Sequence, residues 1–258
     1  ANALKNHRYY FFPEIKEFLS SEQQEEIMKR LENVNETFYH NRHIGENEAY
    51  ICKLIREDSV KEFIIHVNKN NIPLSGIVMD SIFETNPLLL RKRTSIIEYA
   101  AFFGSSQIFR YLQFNQVELA PSLWKYAIHG NNPDIIQILT SNNVNPEDDD
   151  FVKILQESIK CHHNNIANYI LDNFLWEKIE VNENNFINNQ YSFGFHYHNY
   201  EFIQNFNNHK FILYYACLYD YFSIVKFLIQ NKSIDLTQKV IQTYFLMQLY
   251  LQFNHIFF

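Results

Sequence analysis

A chain of 258 residues with Gly 5 and Pro 6 but Phe 24 and Tyr 17 can bury a large core and is too poor in breakers for collagen-like or low-complexity structure. Its formal net charge of −7 gives no general attraction to nucleic acid or anionic lipid. Cys52, Cys161 and Cys217 are an odd, widely spaced set without a CxxC pair, which argues against a disulfide framework and fits a reducing compartment.

Ala1–Ser20 has no uninterrupted apolar region followed by a small-residue cleavage site, so no secretory leader is expected there. No run reaches the length of a membrane-spanning helix. The expected setting is the cytoplasm, with the nucleus as the alternative. The chain opens on alanine, which fits either a fragment or a chain lacking its natural beginning.

Residues 1–48 read as a helical N-terminal cap or the tail of a preceding region. The aromatic cluster Tyr9, Tyr10, Phe11, Phe12 precedes Pro13 and is expected to pack on the helix downstream of it. Ser21 followed by Gln24 resembles a capping box and opens a helix to about Asn33, with Ile27 and Leu31 on one side. Asn41–Glu48 reads as a polar connection.

From residue 49 to 236 the chain reads as copies of one helix–turn–helix unit. The clearest spans 94–112. Ile97, Ala100 and Ala101 share one helix face, Gly104 ends that helix, and Ile108, Phe109, Tyr111 and Leu112 line the next. Two short helices joined by so tight a turn cannot bury both faces alone, so they need neighbours of the same shape.

An earlier copy, near 50–67, has Leu54 and Ile55 for the small pair and Asp58 at the turn. Residues 68–93, with Pro73, Gly76 and Pro87, read as an enlarged connection containing a hairpin or short turn. Downstream, the copy near 122–139 has Ala127 and Ile128, then Asn131, with Pro133 early in its second helix. That near 153–171 has Ser158 and Ile159, then His162 at the turn. Residues 172–208 hold either an insertion or a degenerate unit around Phe193–Phe206. The last copy, near 211–229, has Ala216, Cys217 and Asp220. Residues 237–258 read as an apolar C-terminal helix, with Ile241, Phe245, Leu249 and Phe253 in one stripe.

The central stretch resembles an ankyrin repeat, whose first helix opens Thr-Pro-Leu-His before an alanine pair and a glycine. Here Ser95, Ile96, Ile97 and Glu98 take the opening four positions, a departure expected to weaken the hydrogen-bonded tie made there by threonine and histidine. The fragments LIREDSVKEFI, SIFETN, IIEYAAFFGSSQIFRYL, PSLWKYAIHGNNPDIIQIL and ESIKCHHNNIANYI resemble a large family of protozoan ankyrin-repeat proteins carrying a domain of unknown function. The resemblance implies an all-α ankyrin-repeat solenoid with a short helical N-terminal region. It implies no catalysis and transfers no binding residues.

Signals for chemistry are thin. Cys161-His162-His163 with His129, and His196-Tyr197-His198, lack a second ligand cluster at zinc spacing, so no metal is expected. The acidic run Glu147–Asp150 lacks the ligand spacing of an EF-hand loop and reads as a solvated turn favouring the next helix. No phosphate loop or hydrolase motif is present, and neither a cofactor nor a catalytic residue is expected. A hydrolase centred on Cys161 or Cys217 with a nearby histidine is the weakest reading.

The favoured function is non-enzymatic binding of an unidentified protein on a concave face built from the first helices. Aligning the copies places Tyr99, Phe102, Phe103, Tyr126, His129, Tyr215, Leu218 and Tyr219 at outward or partly outward positions of those helices. Aromatic residues bury much area at small entropic cost. The alternative reading is self-association through the C-terminal helix.

Overall fold

The computed structural model describes residues 8–31, 34–91, 93–175, 192–204 and 209–230. Every regular element among them is a helix, and the only β pairing among them is a single bridge between Ile77 and Ser95. The protein is therefore all-α over these residues. It divides into two compact bodies, Ala1–Glu147 and Asp148–Phe258. The C-terminal stretch 237–258, and with it the apolar helix expected there, lies outside the described residues.

In the first body, helix α1 (Ser21–Leu31) starts one residue before its expected cap. The Ser20 hydroxyl accepts the Gln23 amide at 3.3 Å and Gln23 Oε1 accepts the Ser20 amide at 3.0 Å, so the capping box is Ser20–Gln23. Gln24 instead reaches back to the carbonyls of Lys16 and Leu19. Tyr9, Phe12 and Ile27 form a small core, with Leu19 and Leu31 against it. Helix α2 (Glu36–Ile44) is capped by Asn35, whose side chain accepts the Phe38 amide. It ends at Gly45, so residues 41–44 are helical rather than a polar connection.

Three helix pairs come next: α3 (Tyr50–Arg56) with α4 (Val60–Lys69), α6 (Ile96–Phe102) with α7 (Ser106–Phe114), and α8 (Leu123–Gly130) with α9 (Pro133–Ser141). A short helix α5 (Pro87–Arg91) lies in the long connection between the first two pairs. First helices pack on first helices, α3 on α6 and α6 on α8. Second helices do the same, α4 on α7 and α7 on α9.

The turns explain why the pairs look alike. Asp58, Gly104 and Asn131 all take left-handed backbone, at φ of 47°, 67° and 46°. The following amide then folds back, from Ser59 to Leu54 O and from Ser105 to Ala100 O. A second left-handed residue closes each second helix: Asn71, Gln116 and Asn143. There the amides of Ile72, Val117 and Val144 reach the carbonyls of Val67, Leu112 and Leu139, a Schellman closure repeated three times.

Small residues set the helix spacing. Ala100, Ala101 and Ala127 are completely buried. A Cβ on Gly130 would stand 2.1 Å from the Ala101 carbonyl oxygen, and one on Gly104 would stand 2.6 Å from that of Gly130. The C-terminal end of α8 thus lies directly on the turn of the preceding pair. Ile108, Phe109, Leu112, Leu123, Ile128, Ile135 and Leu139 fill the space between pairs with no exposure, each contributing ~1.5–3 kcal/mol of burial.

Polar ties cross from each pair to the next. The Asp58 carboxylate accepts the amides of Gln107 and Ile108, both at 3.0 Å, and so caps α7 from the preceding turn. The Ser105 hydroxyl donates to Ile55 O at 2.5 Å, and Asn132 Nδ2 donates to Gly104 O at 2.7 Å.

The expected weakness at Ser95–Glu98 is overturned. Ser95 and Glu98 form a complete capping box, and the second oxygen of Glu98 accepts the Ser122 hydroxyl of the next pair at 2.7 Å. A buried glutamate thereby makes the tie for which threonine and histidine were missing.

In the second body, α10 (Phe151–Lys160) is capped by Asp150, whose side chain accepts the amides of Val152 and Lys153. It packs on α11 (Asn164–Ile170). Residues 192–196 are helical, followed by α12 (Tyr200–Gln204), and α13 (His209–Leu218) packs on α14 (Phe222–Gln230).

The same turn recurs at His162, His198 and Asp220, with φ of 59°, 57° and 59°. The next amides fold back from His163 to Ser158 O, from Asn199 to Gly194 O and from Tyr221 to Ala216 O. Residues 192–204 are therefore a further helix pair of this kind, which decides between the two readings of that part of 172–208. Asn199 repeats the cross-pair tie: its Nδ2 donates to Ile159 O at 2.9 Å while its Oδ1 accepts the Phe202 amide. Phe195, Leu213, Ala216, Cys217, Val225 and Leu228 form one buried cluster.

Candidate binding surface

The position just after each small pair falls at Arg56, Phe102 and His129 in the first body. It falls at Lys160, His196 and Leu218 in the second. Being next to the left-handed turn, it is held by the turn on one side and by the buried pair on the other. In the first body these positions meet. The Arg56 guanidinium lies 5.9 Å from the centre of the Phe103 ring, Phe103 meets Phe102 edge-on at 5.0 Å, and Phe102 stacks on His129 at 5.2 Å. Phe102, Phe103 and His129 are all half-buried.

The result is a strip of rings across three helix pairs with a guanidinium at one end. Arg56 is itself fixed: Nε pairs with Glu46 at 2.8 Å, and Nη1 donates to Asn47 O at 2.8 Å and to the Tyr99 hydroxyl at 2.9 Å. A ring surface held from behind in this way presents area without losing further side-chain freedom on contact.

Three of the residues expected to face outward do not. Tyr99, Tyr126 and Tyr215 are 1%, 2% and 7% exposed. The reason is a neighbour that reaches over each ring or past it. Arg56 comes from 43 residues upstream to the Tyr99 hydroxyl. The Tyr126 hydroxyl bonds to Thr94 of the preceding connection. Tyr215 lies against the Phe195 ring at 6.2 Å and the Tyr219 ring at 6.4 Å. Tyr219 is half-buried, and Leu218, at 43% exposed, is the outward residue of α13. Arg56 is the member that sequence reasoning omitted; alignment on the Leu54–Ile55 pair puts it in register with Phe102 and His129.

The thiols are held protonated. Burial pushes Cys52 up to about 12 and Cys161 up to about 11, with the Glu157 carboxylate adding to the latter, and burial also raises Cys217. Burial likewise lifts the Tyr99 phenol well above its ordinary range, helped by the neighbouring Cys52. In the second body the histidines are engaged with neighbours. His162 Nε2 lies 3.0 Å from Tyr197 O, His196 meets the Tyr197 and Tyr219 rings edge-on, and His198 Nδ1 contacts the Tyr221 hydroxyl.

No family model, curated protein or solved structure matches the chain. Among the described residues, no helix is long and apolar enough to cross a membrane.

Proposed function

We propose that the chain is a divergent ankyrin-type repeat protein that binds a protein partner without catalysis, and that Phe102, Phe103 and His129, backed by Arg56, are the contact strip. The observation carrying this reading is the row of half-buried rings at equivalent positions of successive helix pairs, joined at ring distances of 5.0 and 5.2 Å. Repetition supplies such a surface without any enclosed pocket. The recurring small pair, left-handed turn and cross-pair tie support the ankyrin assignment. Thiols raised by burial lack the low pKa of an activated nucleophile, which favours binding over the cysteine hydrolase. A cytoplasmic or nuclear location suits this role.

The test is quantitative binding to a purified partner identified by proximity labelling in the native cell. Phe102→Ser with Phe103→Ser is expected to weaken affinity at least about tenfold, as loss of a hot-spot pair does, with the thermal midpoint nearly unchanged. Unchanged affinity removes the strip from the interface. The reading of self-association through residues 237–258 rests on the apolar stripe of the sequence alone. Sedimentation of the full chain beside one ending at Asp235 decides it, since a monomer in both cases rejects it.

A further inference from the structure

The long connection between the first two helix pairs is laid across the residues leading into α3. Asn47 Nδ2 donates to Met79 O at 2.7 Å. The Thr85 amide and hydroxyl both donate to Gly45 O, at 3.1 and 2.8 Å, and the Ser81 hydroxyl donates to the Glu48 carboxylate. Val78 is tied to Thr94 O, and the Phe83 ring packs against Phe38 of α2 at 5.5 Å. Residues 77–86 are thus fastened at several points to the chain before α3.

At the centre of this contact is an uncompensated group. Glu84 is 9% exposed; its Oε1 accepts the Asn86 amide at 2.9 Å, but Oε2 is buried with no hydrogen-bond partner. Glu46 and Glu48 lie on the linker side, Cys52 and Arg56 on α3, and the Tyr99 phenol on α6. Arg56 is the one cation of this group among the described residues, and its Nε and Nη1 are already directed to Glu46, Asn47 O and Tyr99. The group therefore offers no cation to face the orphaned oxygen.

We propose that residues 77–86 are a proton-controlled strap, latched over the linker and α3 while Glu84 is neutral and released when Glu84 ionises. A neutral carboxyl leaves one polar atom without a partner, whereas a carboxylate leaves uncompensated charge in a buried site. Burial is the largest influence on Glu84 and raises its pKa; the amides of Asn86 and Asn47 oppose it, and the Glu46 charge adds to the rise. With the latched-state pKa above the free value, latching is fully favourable below the ordinary glutamate range and is lost as pH rises through the raised value. The strap opens on the alkaline side. This device is independent of what the ring strip binds.

Amide hydrogen exchange on the full chain tests it between pH 5 and 8. The rate for residues 77–86 is divided at each pH by the rate for the same residues in Glu84→Gln, which keeps the shape of the neutral acid and cannot ionise. The ratio is expected to stay near one at pH 5 and to rise at least about fivefold by pH 8, while the same ratio for α8 stays flat. A ratio for 77–86 that is constant across the range overturns the proposal. Should Glu84→Gln fail to fold, carbon-13 titration of the Glu84 carboxyl in the unaltered chain replaces it. A midpoint above the ordinary glutamate value is then expected, and one at or below about 4.3 rejects the latch.

Discussion

The Glu98 carboxylate holds Ser122 at 2.7 Å with one oxygen while the other closes the capping box on Ser95. One buried side chain thus fixes the start of α6 and couples it to the start of α8. Glu98→Ala leaves two serine hydroxyls and an amide without their partner, so it is expected to cost ~2–3 kcal/mol of stability. Glu98→Gln keeps an oxygen for one of these contacts and is expected to cost roughly half as much. Urea unfolding of both variants checks the order.

Gly130→Ala inverts the usual helix rule. Alanine normally stabilises a helix interior over glycine by ~0.5–1 kcal/mol, but here the new Cβ would meet the Ala101 carbonyl at 2.1 Å. The expected outcome is a loss of ~1–3 kcal/mol through overpacking. A gain in thermal midpoint would show that α6 and α8 are not in this register.

Asn131 carries a side chain at φ 46° in the turn after α8. Asn131→Gly is expected to gain ~0.5–1 kcal/mol by relieving left-handed strain, and Asn131→Val to lose ~1–2 kcal/mol. Denaturant midpoints with unchanged slopes would establish both.

Cys52 makes the native state sensitive to alkali. Its folded pKa, pushed up to about 12 by burial, lies above the free value of about 8.5. Its contribution is therefore complete below about 8.5 and is lost as pH climbs toward about 12. The thermal midpoint should fall more steeply above pH 8.5 in the wild type than in Cys52→Ala. Alkylation of Cys52 in the native chain at pH 8 should also be slow, because only about one thiol in ten thousand is ionised there. Fast alkylation would contradict the burial.

Much of the helix pairing was legible because its signals are local. A small or short apolar pair, then a residue able to adopt left-handed backbone, marks Asp58, Gly104, Asn131, His162 and Asp220 in the sequence and in the structure. The pair around His198 stayed ambiguous because Gly194-Phe195 stands in for alanines and its surroundings are rich in Asn and aromatics. What could not be read was long-range. Nothing near Tyr99 announces that Arg56 will cover its hydroxyl, and nothing near Glu98 announces Ser122. Helical period assigned the tyrosines outward; partners 20 to 40 residues away in sequence turned them in. The strip survived in part because Phe102, Phe103 and His129 abut the turn, where local geometry decides exposure.

The central claim is that each helix pair completes the interior of its neighbour. The most direct measurement is site-resolved amide exchange in Ala127→Asp, which puts a charge into the fully buried seam between α6 and α8. The account predicts that protection falls in α6 and α7 as well as in α8 and α9, because the pairs share one core. Wild-type protection retained across α6 and α7 while α8 and α9 open would contradict it.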